Sequence, residues 1–326
     1  MAVYTQVPAE ALADFLTRYD VGSLVSAKGI AEGVENSNYL VDTTGRDGSG
    51  ARFILTLYEK RVDPADLPFF IDLLDHLGAR GCAVPRFIAD RNGNRLQELC
   101  GRPACLIEFL AGISVTEPTP AQAQAAGDAL GVLHRASEGF RGERPNALGL
   151  GDWHRLAEAC GTGLEDIQPG LGDRISAELA FLDSHWPTDL PRGVIHADLF
   201  PDNVLMNGDA VTGLIDFYFS CTDIRAYDVA VTHGSWCFSF DGATFYRDRA
   251  EALMAGYRAS HGLSRDEESA LPVLGRGAAL RFLLTRAFDW LNTPADALVT
   301  RKDPLAYLRR LECYAATPAA TLFGRP

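Results

Sequence analysis

The sequence predicts an α+β protein in two lobes: a small N-terminal lobe built on an antiparallel sheet, and a larger, mainly helical C-terminal lobe. Three observations carry that expectation. At 326 residues the chain exceeds one typical domain and can bury a large core in two lobes. Before residue 112, short β-patterned runs surround one packed helical run, the arrangement of a small α+β lobe. From Thr119-Pro120 onward the apolar spacing turns helical. The change falls in the segment 112–120 and divides the chain into residues 1–111 and 112–326.

In chain order, apolar residues at 12, 15, 16 and 19 give residues 8–19 the period of an amphipathic helix. Extended segments at 25–29 and 39–42 flank the loop Ile30-Ala31-Glu32-Gly33-Val34-Glu35-Asn36-Ser37-Asn38. A loop of small and polar residues can lie over a phosphate and offer it backbone N–H groups, although this one is not G-x-G-x-x-G. A third strand, 52–58, carries Phe53, Ile54, Leu55 and Leu57 after the turn-rich segment 44–50. Residues 68–80 read as a helix with Phe69, Phe70, Leu73, Leu74 and Leu77 on one face. Strands are expected at 84–89 and 95–99 around Asp90-Arg91-Asn92-Gly93, and at 104–110, interrupted by Glu108. Thr119-Pro120 is an N-cap and first-turn pair, followed by apolar residues at 123, 126, 130 and 133. Ser264-Arg265-Asp266-Glu267 is a capping box. The helix it opens, or a successor after Pro272, carries Leu280, Phe282, Leu283, Leu284, Phe288 and Leu291, and residues 303–314 make a last helix.

With 47% hydrophobic and 22% charged residues, the composition is globular. The net charge of -13 argues against a nucleic-acid partner and against docking on an anionic membrane. No apolar run approaches the roughly 18 residues of a spanning helix. Residues 1–19 carry Glu10 and Asp14 in place of a basic-then-apolar leader, so a cytoplasmic location is expected. The seven cysteines contain no C-x-x-C pair, which leaves neither a zinc nor a disulfide framework in view.

The chemistry is concentrated in Val194-Ile195-His196-Ala197-Asp198-Leu199-Phe200-Pro201-Asp202-Asn203-Val204-Leu205 and in Gly213-Leu214-Ile215-Asp216-Phe217. Segments 204–206 and 211–215 read as short strands, with Asn207-Gly208-Asp209 as turn material between them. Closing that hairpin brings Asn203 and Asp216 nearly opposite each other at its open end. Two oxygen ligands then converge where a hard cation such as Mg2+ can bridge phosphates, with Asp198 one tight turn upstream. A carboxylate that accepts a hydroxyl proton, then an Asn and an Asp that hold metal, is the order of parts used in phosphoryl transfer. His196 reads as a loop brace, and Asp228 as an N-terminal or loop-bracing residue. Asp202 can bind metal, bind a substrate ammonium or cap its turn.

Several stretches together carry a resemblance to a known family. They are Lys28-Gly29-Ile30-Ala31-Glu32-Gly33-Val34-Glu35-Asn36-Ser37-Asn38, Ile54-Leu55-Thr56-Leu57-Tyr58-Glu59-Lys60-Arg61, His196-Ala197-Asp198-Leu199-Phe200-Pro201-Asp202-Asn203, Asp216-Phe217-Tyr218-Phe219, Ala226-Tyr227-Asp228 with Trp236-Cys237-Phe238, and Asp289-Trp290-Leu291-Asn292-Thr293-Pro294. Over essentially its whole length the chain resembles the aminoglycoside-phosphotransferase-like branch of the protein-kinase fold, and within it the bacterial homoserine kinases. The resemblance implies a two-lobed protein-kinase-like fold, with nucleotide bound by residues 1–111 and catalysis and substrate binding in 112–326. It implies transfer of the ATP γ-phosphoryl group to the side-chain hydroxyl of L-homoserine, a step of threonine biosynthesis. Residue by residue, it makes Asp198 the catalytic carboxylate and Asn203 and Asp216 the Mg2+ ligands. Gly33, Glu35, Asn36 and Ser37 would cover the phosphates, and the backbone of Glu108 and Leu110 would meet adenine.

One departure stands out. The lysine usual on the third strand of the wider superfamily, and the glutamate that pairs with it, are replaced at Thr56 and Phe70. Losing both charges together avoids a partly buried unpaired charge. Lys28, Lys60, Arg61 or a second metal is then left to neutralise the phosphates.

A zwitterionic amino-acid acceptor needs an anion and a cation around it, and the candidates are Asp202, Arg281, Arg286 and Asp289. On one helix, residues 286 and 289 share a face while 281 sits obliquely, and the pair at 286 and 289 reads equally well as a surface ion pair. Trp236 and Trp290 either wall a pocket or fill core. Two other readings remain open at this point: a sibling kinase for an aminoglycoside, choline or a thio-sugar, and a nucleotide-binding pseudokinase scaffold.

Overall fold

The computed structural model describes residues 4–30, 36–59, 63–293 and 301–324. The chain divides into two compact units, Met1–Ala111 and Gly112–Pro326.

In the first unit, α1 (Ala9–Leu16) precedes β1 (Leu24–Ile30), β2 (Asn36–Thr43) and β3 (Ala51–Tyr58). After these come α2 (Leu67–Ala79), β4 (Gln97–Leu99) and β5 (Arg102–Glu108). The five strands form one antiparallel sheet in the order β1-β2-β3-β5-β4. Period-two alternation sends Leu55 and Leu57 of β3 into a core with Leu12, Phe15 and Leu16 of α1 and with Val41 of β2. The expected strand at 84–89 is reduced to a single bridge between Phe87 and Ile107. Pro85 has no N–H to give to a ladder, so pairing is limited to the bonds of Ile88 with Leu106 and of Glu108 with Arg86. β2 also begins earlier than the apolar pattern suggests, taking Asn36, Ser37 and Asn38 into the ladder opposite Tyr58, Leu57 and Thr56.

The second unit opens with α3 (Pro120–Ala136), α4 (Leu150–Cys160), α5 (Gly163–Ile167) and α6 (Leu171–His185). Four short strands then interrupt the helices: β6 (Arg192–Ile195), β7 (Val204–Asn207), β8 (Ala210–Leu214) and β9 (Cys221–Ile224). The unit closes with α7 (Arg225–Trp236), α8 (Arg247–Ser260), α9 (Arg265–Asn292), α10 (Leu305–Ala316) and α11 (Ala319–Leu322). Both expected caps are present, with reciprocal side-chain and backbone bonds at Thr119/Gln122 and Ser264/Glu267. Of the two alternatives at Pro272, the continuous helix is the one formed: α9 runs through it, buried on several sides by residues such as Leu271, Leu274, Ala278 and Leu283. Burial at that level outweighs the lost hydrogen bond of one proline.

Helices α3 and α8 lie close enough that a Cβ on Gly127 would collide with the Leu253 carbonyl, and one on Gly256 with the Gln124 carbonyl. That approach sets His134 at the end of α3 against Tyr257 of α8, with consequences for the site below. Among the described residues, no helix is long and apolar enough to cross a membrane.

Candidate active site

Two small sheets fix the ends of one loop. β6 pairs antiparallel with β9, Ile195 facing Cys221, and delivers the chain into His196. β7 and β8 form the expected hairpin, Val204 facing Leu214, with a bulge between Leu205 and Met206 and a turn at Gly208. Its open end is tied by the Ile215 amide donating to the Asn203 carbonyl at 3.0 Å. Asn203 therefore lies directly across from the residue before Asp216. The loop 196–203 and the turn 216–219 emerge side by side from these two pairings.

The loop itself is over-determined by hydrogen bonds. Asp228, fully buried in the first turn of α7, accepts the His196 amide through Oδ2 and the Ala197 amide through Oδ1, both at 2.7 Å. A third donor, His134 Nε2, reaches the same carboxylate at 3.1 Å, while His134 Nδ1 accepts from the Tyr257 hydroxyl at 2.8 Å. Burial holds His134 below its usual range, so the contact is a neutral imidazole donating to a carboxylate. Burial alone would raise Asp228, but the His134 donor, the nearby imidazoles and the His196 amide outweigh it and hold the carboxyl below its usual range.

His196 braces the loop in the way its position suggested. Its Nε2 donates to the Ile215 carbonyl at 3.0 Å and its Nδ1 accepts the Asp198 amide at 3.3 Å. Burial lowers its pKa, and the ring packs on Phe217 at 4.6 Å. Ala197 is held at a φ of 62° and Asp216 at 64°, left-handed conformations that cost a residue with a Cβ roughly 1–2 kcal/mol each. Both flank the atoms that would do chemistry.

Asp198 keeps one edge open, yet its carboxyl is packed deeply enough that burial holds it well above the usual carboxylate range. Arg281 opposes that shift, Asp216 and Asp202 add to it, and Lys302 opposes it. Asn203, only 8% exposed, spends its amide nitrogen on Asp198, at 2.8 Å to the carbonyl and 3.2 Å to Oδ2. This turns its amide oxygen away from Asp198. Asp202 and Asp216 are exposed. The structure thus gathers Asp198, Asp202, Asn203 and Asp216 into one oxygen-rich region, the chemistry that suits a hard divalent cation. Among the described residues no three His, Cys, Asp or Glu side chains make a cage for a metal by themselves. A cation there would complete its shell with substrate phosphate and water.

The substrate candidates on α9 separate. Arg281 is 1% exposed and donates from Nη1 to the Ala197 carbonyl at 2.5 Å, so it serves the loop and does not face open space. Its spacing alone did not show this, because the partner lies 84 residues away. Arg286 is half-buried, donates to the Asp303 carbonyl at 3.2 Å and lies over the Tyr307 ring at 4.5 Å. Asp289 lies one turn further along, also half-buried. Trp236 is fully buried, its indole N–H donating to the Leu199 carbonyl at 2.9 Å, whereas Trp290 is 38% exposed. The contribution of Trp236 to the loop escaped sequence reasoning, since a buried tryptophan and a loop-bracing one share the same apolar pattern.

In the first unit, Gly33 and Glu35, together with Lys60 and Arg61, lie outside the described residues. Asn36 and Ser37 are buried, and their side chains are engaged within the sheet. Ser37 Oγ accepts the amides of Tyr4 and Thr5 and donates to Glu59, while Asn36 Oδ1 accepts the Glu59 amide. These bonds commit the Ser37 hydroxyl and the Asn36 amide oxygen within the sheet. Thr56 is buried and donates to Asn38 Oδ1 at 2.8 Å, and Phe70 is apolar core, so no ion pair occupies those two positions. Glu108 ends β5, its amide donating to the Arg86 carbonyl at 2.8 Å and its carboxylate accepting the Arg86 amide. Leu110 follows two residues beyond, half-buried.

An H-x-D loop braced from below, an asparagine tied across a hairpin and a left-handed aspartate, in a helical unit that follows a five-stranded one, define a phosphotransferase of the protein-kinase-like class. Comparison with known proteins agrees. The chain belongs to the phosphotransferase enzyme family, whose model matches residues 26–263. It is 54% identical over 324 residues to a homoserine kinase of Azorhizobium caulinodans, covering 99% of both chains. It is 53% identical over 326 residues to a homoserine kinase of Methylobacterium radiotolerans, covering 100% of both. Among solved structures it resembles a spectinomycin phosphotransferase bound to ADP and spectinomycin, with a TM-score of 0.68 at 13% identity over 98% of this chain and 97% of the other. An amicoumacin kinase with AMP-PNP and Ca2+ gives a TM-score of 0.67 at 16% identity over 95% and 94%. At such identities the structures speak for the fold alone.

Proposed function

We infer that this chain is an ATP-dependent homoserine kinase, forming O-phospho-L-homoserine from L-homoserine in threonine biosynthesis. The observation that carries this reading is similarity of more than half the residues, end to end, to proteins named homoserine kinase. The loop geometry supports the chemistry.

In this reading Asp198 accepts the proton of the homoserine side-chain hydroxyl as the oxygen attacks the γ-phosphorus and the bond from that phosphorus to the β,γ-bridging oxygen breaks, releasing ADP. A carboxyl held above its usual range by burial and by two neighbouring carboxylates is a stronger base than a free aspartate. The brace from Asp228, His196 and Arg281 keeps it aligned without reorganisation during the step. Asn203 and Asp216 would hold Mg2+, which supplies charge stabilisation to the transferring phosphoryl group. With Thr56 and Phe70 in place of the usual ion pair, more of that charge would fall to a metal held by Asn203 and Asp216. For the nucleotide we assign the Glu108 carbonyl and the Leu110 amide to adenine, and the backbone of 33–37 to phosphate. For the acceptor, Arg286 is assigned to the carboxylate and Asp202 or Asp289 to the ammonium.

ADP release measured over a panel of homoserine, choline and kanamycin tests the reading. We expect turnover with homoserine alone, abolished by chelation of divalent cations and restored by Mg2+. Turnover of choline or kanamycin without homoserine would overturn it.

A further inference from the structure

Tyr307 carries an unexplained hydroxyl. The residue is 1% exposed, in the first turn of α10, and among the described residues its OH has no hydrogen-bond partner. Leaving a buried hydroxyl unpaired is costly, so a site that retains one has a use for it. The ring is placed firmly. It stacks on Phe282 at 5.0 Å and 29°, and Phe282 in turn meets Phe200 of the loop edge-on at 5.0 Å. Phe282 and Arg286 are one turn apart on α9, and the Arg286 guanidinium lies over the same Tyr307 ring at 4.5 Å. Arg310 covers the ring at 4.4 Å and donates from Nη1 to the Ala306 carbonyl and from Nη2 to the carbonyls of Ser239 and Phe240, with its Nε unpartnered among the described residues. Arg286 is bonded only through Nη1, to the Asp303 carbonyl, among the contacts of the described residues.

We propose that the Tyr307 hydroxyl and the Arg286 guanidinium together form the subsite for the α-carboxylate of the amino-acid acceptor. A planar cation over a phenol ring, with the phenol's own O–H at the ring edge, supplies N–H and O–H donors, the complement of a carboxylate and the wrong polarity for an ammonium. Through Phe282 and Phe200 the pair is packed against the loop that carries Asp198. Discrimination follows from the same orphan: an alcohol lacking the carboxylate leaves a buried donor and cation unpaired, the arrangement that rejects analogues most strongly. The proposal rests on homoserine being the acceptor.

The test uses Tyr307→Phe, which keeps the ring and its stacking, with Arg286→Gln as a second variant. Two competitive inhibitors divide the substrate: L-2-aminobutyrate keeps the carboxylate and lacks the hydroxyl, while 3-aminopropan-1-ol keeps the hydroxyl and lacks the carboxylate. In Tyr307→Phe we expect KM for homoserine and Ki for L-2-aminobutyrate to rise about tenfold, with kcat, KM for ATP and Ki for 3-aminopropan-1-ol unchanged. Arg286→Gln should shift the same two constants further. Equal weakening of both inhibitors, or no change in either, would overturn the subsite. Wild-type protein that phosphorylates another alcohol but not homoserine would instead remove the functional reading beneath it.

Discussion

Arg281 donates to the carbonyl of Ala197 at 2.5 Å, and so ties a fully buried guanidinium on α9 to the residue immediately before Asp198. The same alanine has its amide bound by Asp228, which means both backbone polar groups of one left-handed residue are fixed. Arg281 also opposes the upward shift of the Asp198 carboxyl. Arg281→Met should therefore act twice. Turnover should drop on the order of 100-fold as the loop loses its alignment. The acid limb of the kcat/KM profile should move to higher pH, because Asp198 without that cation keeps its proton longer. A drop in rate with an unmoved acid limb would reduce Arg281 to a packing residue.

Asp228→Asn probes the other backbone group of the same residue. An aspartate accepts from His196, Ala197 and His134, whereas an asparagine must turn its NH2 toward at least one of those donors. The loss should be about 2–3 kcal/mol of stability in urea titration, accompanied by reduced kcat. His134→Gln should be milder, since it removes one of three donors to the carboxylate and leaves both loop amides bound. Equal effects of the two changes would argue that the site depends on α3 packing and not on this carboxylate.

How far these relationships were legible from sequence depends on the distance they span. Asn203 and Asp216 were readable because a single short hairpin joins them, and period-two strands with a glycine turn have few ways to close. The sheet of the first unit and the caps at Thr119 and Ser264 were readable for the same local reason. The early start of β2 was not, because Asn36 and Ser37 have low strand propensity and are drawn into the ladder by side-chain bonds, Ser37 with Glu59, Tyr4 and Thr5 and Asn36 with the Glu59 amide. Nor was the service of Arg281, Trp236 and His134 to one loop. Each lies on a helix whose apolar spacing records that a face is buried, and spacing carries no information on which carbonyl or carboxylate that face meets.

Asp198→Asn separates catalysis from stability. The wild-type carboxyl is held above its usual range, so in the folded state it keeps a proton at pH values where the unfolded chain has lost it. Ionising Asp198 in the folded state is therefore costly, and stability falls as pH rises from the ordinary carboxylate range toward its raised folded value. An asparagine avoids it while still accepting from Asn203. The variant should lose on the order of 10²–10⁴-fold in kcat with little change in nucleotide affinity. Its Tm should exceed that of the wild type at pH 7, and the difference should shrink as pH falls below the ordinary carboxylate range. A lower Tm at pH 7 would mean that the carboxylate is a net structural asset.

His233 gives the clearest acid-stability prediction. It is fully buried on α7, with Nε2 donating to the Leu322 carbonyl at 2.8 Å and Nδ1 accepting from the Tyr314 hydroxyl at 2.6 Å. Burial lowers its pKa to about 4, against 6.5 in a free chain. Below pH 6.5 the unfolded chain takes up a proton that the folded chain refuses. Stability is therefore complete above that pH and falls toward pH 4, by about 1.4 kcal/mol per pH unit from this residue. His134 and His196 are also held low by burial, and they add slopes of the same sign. In urea titrations at pH 7, 6 and 5, His233→Gln should start less stable and lose less on acidification, with a slope shallower than wild type by close to one proton. Its tie from α7 to α11 should weaken at every pH, so a uniform offset is expected beneath the change in slope. Parallel curves for the two proteins would show that His233 titrates normally and that the acid sensitivity resides in the pair beneath the loop.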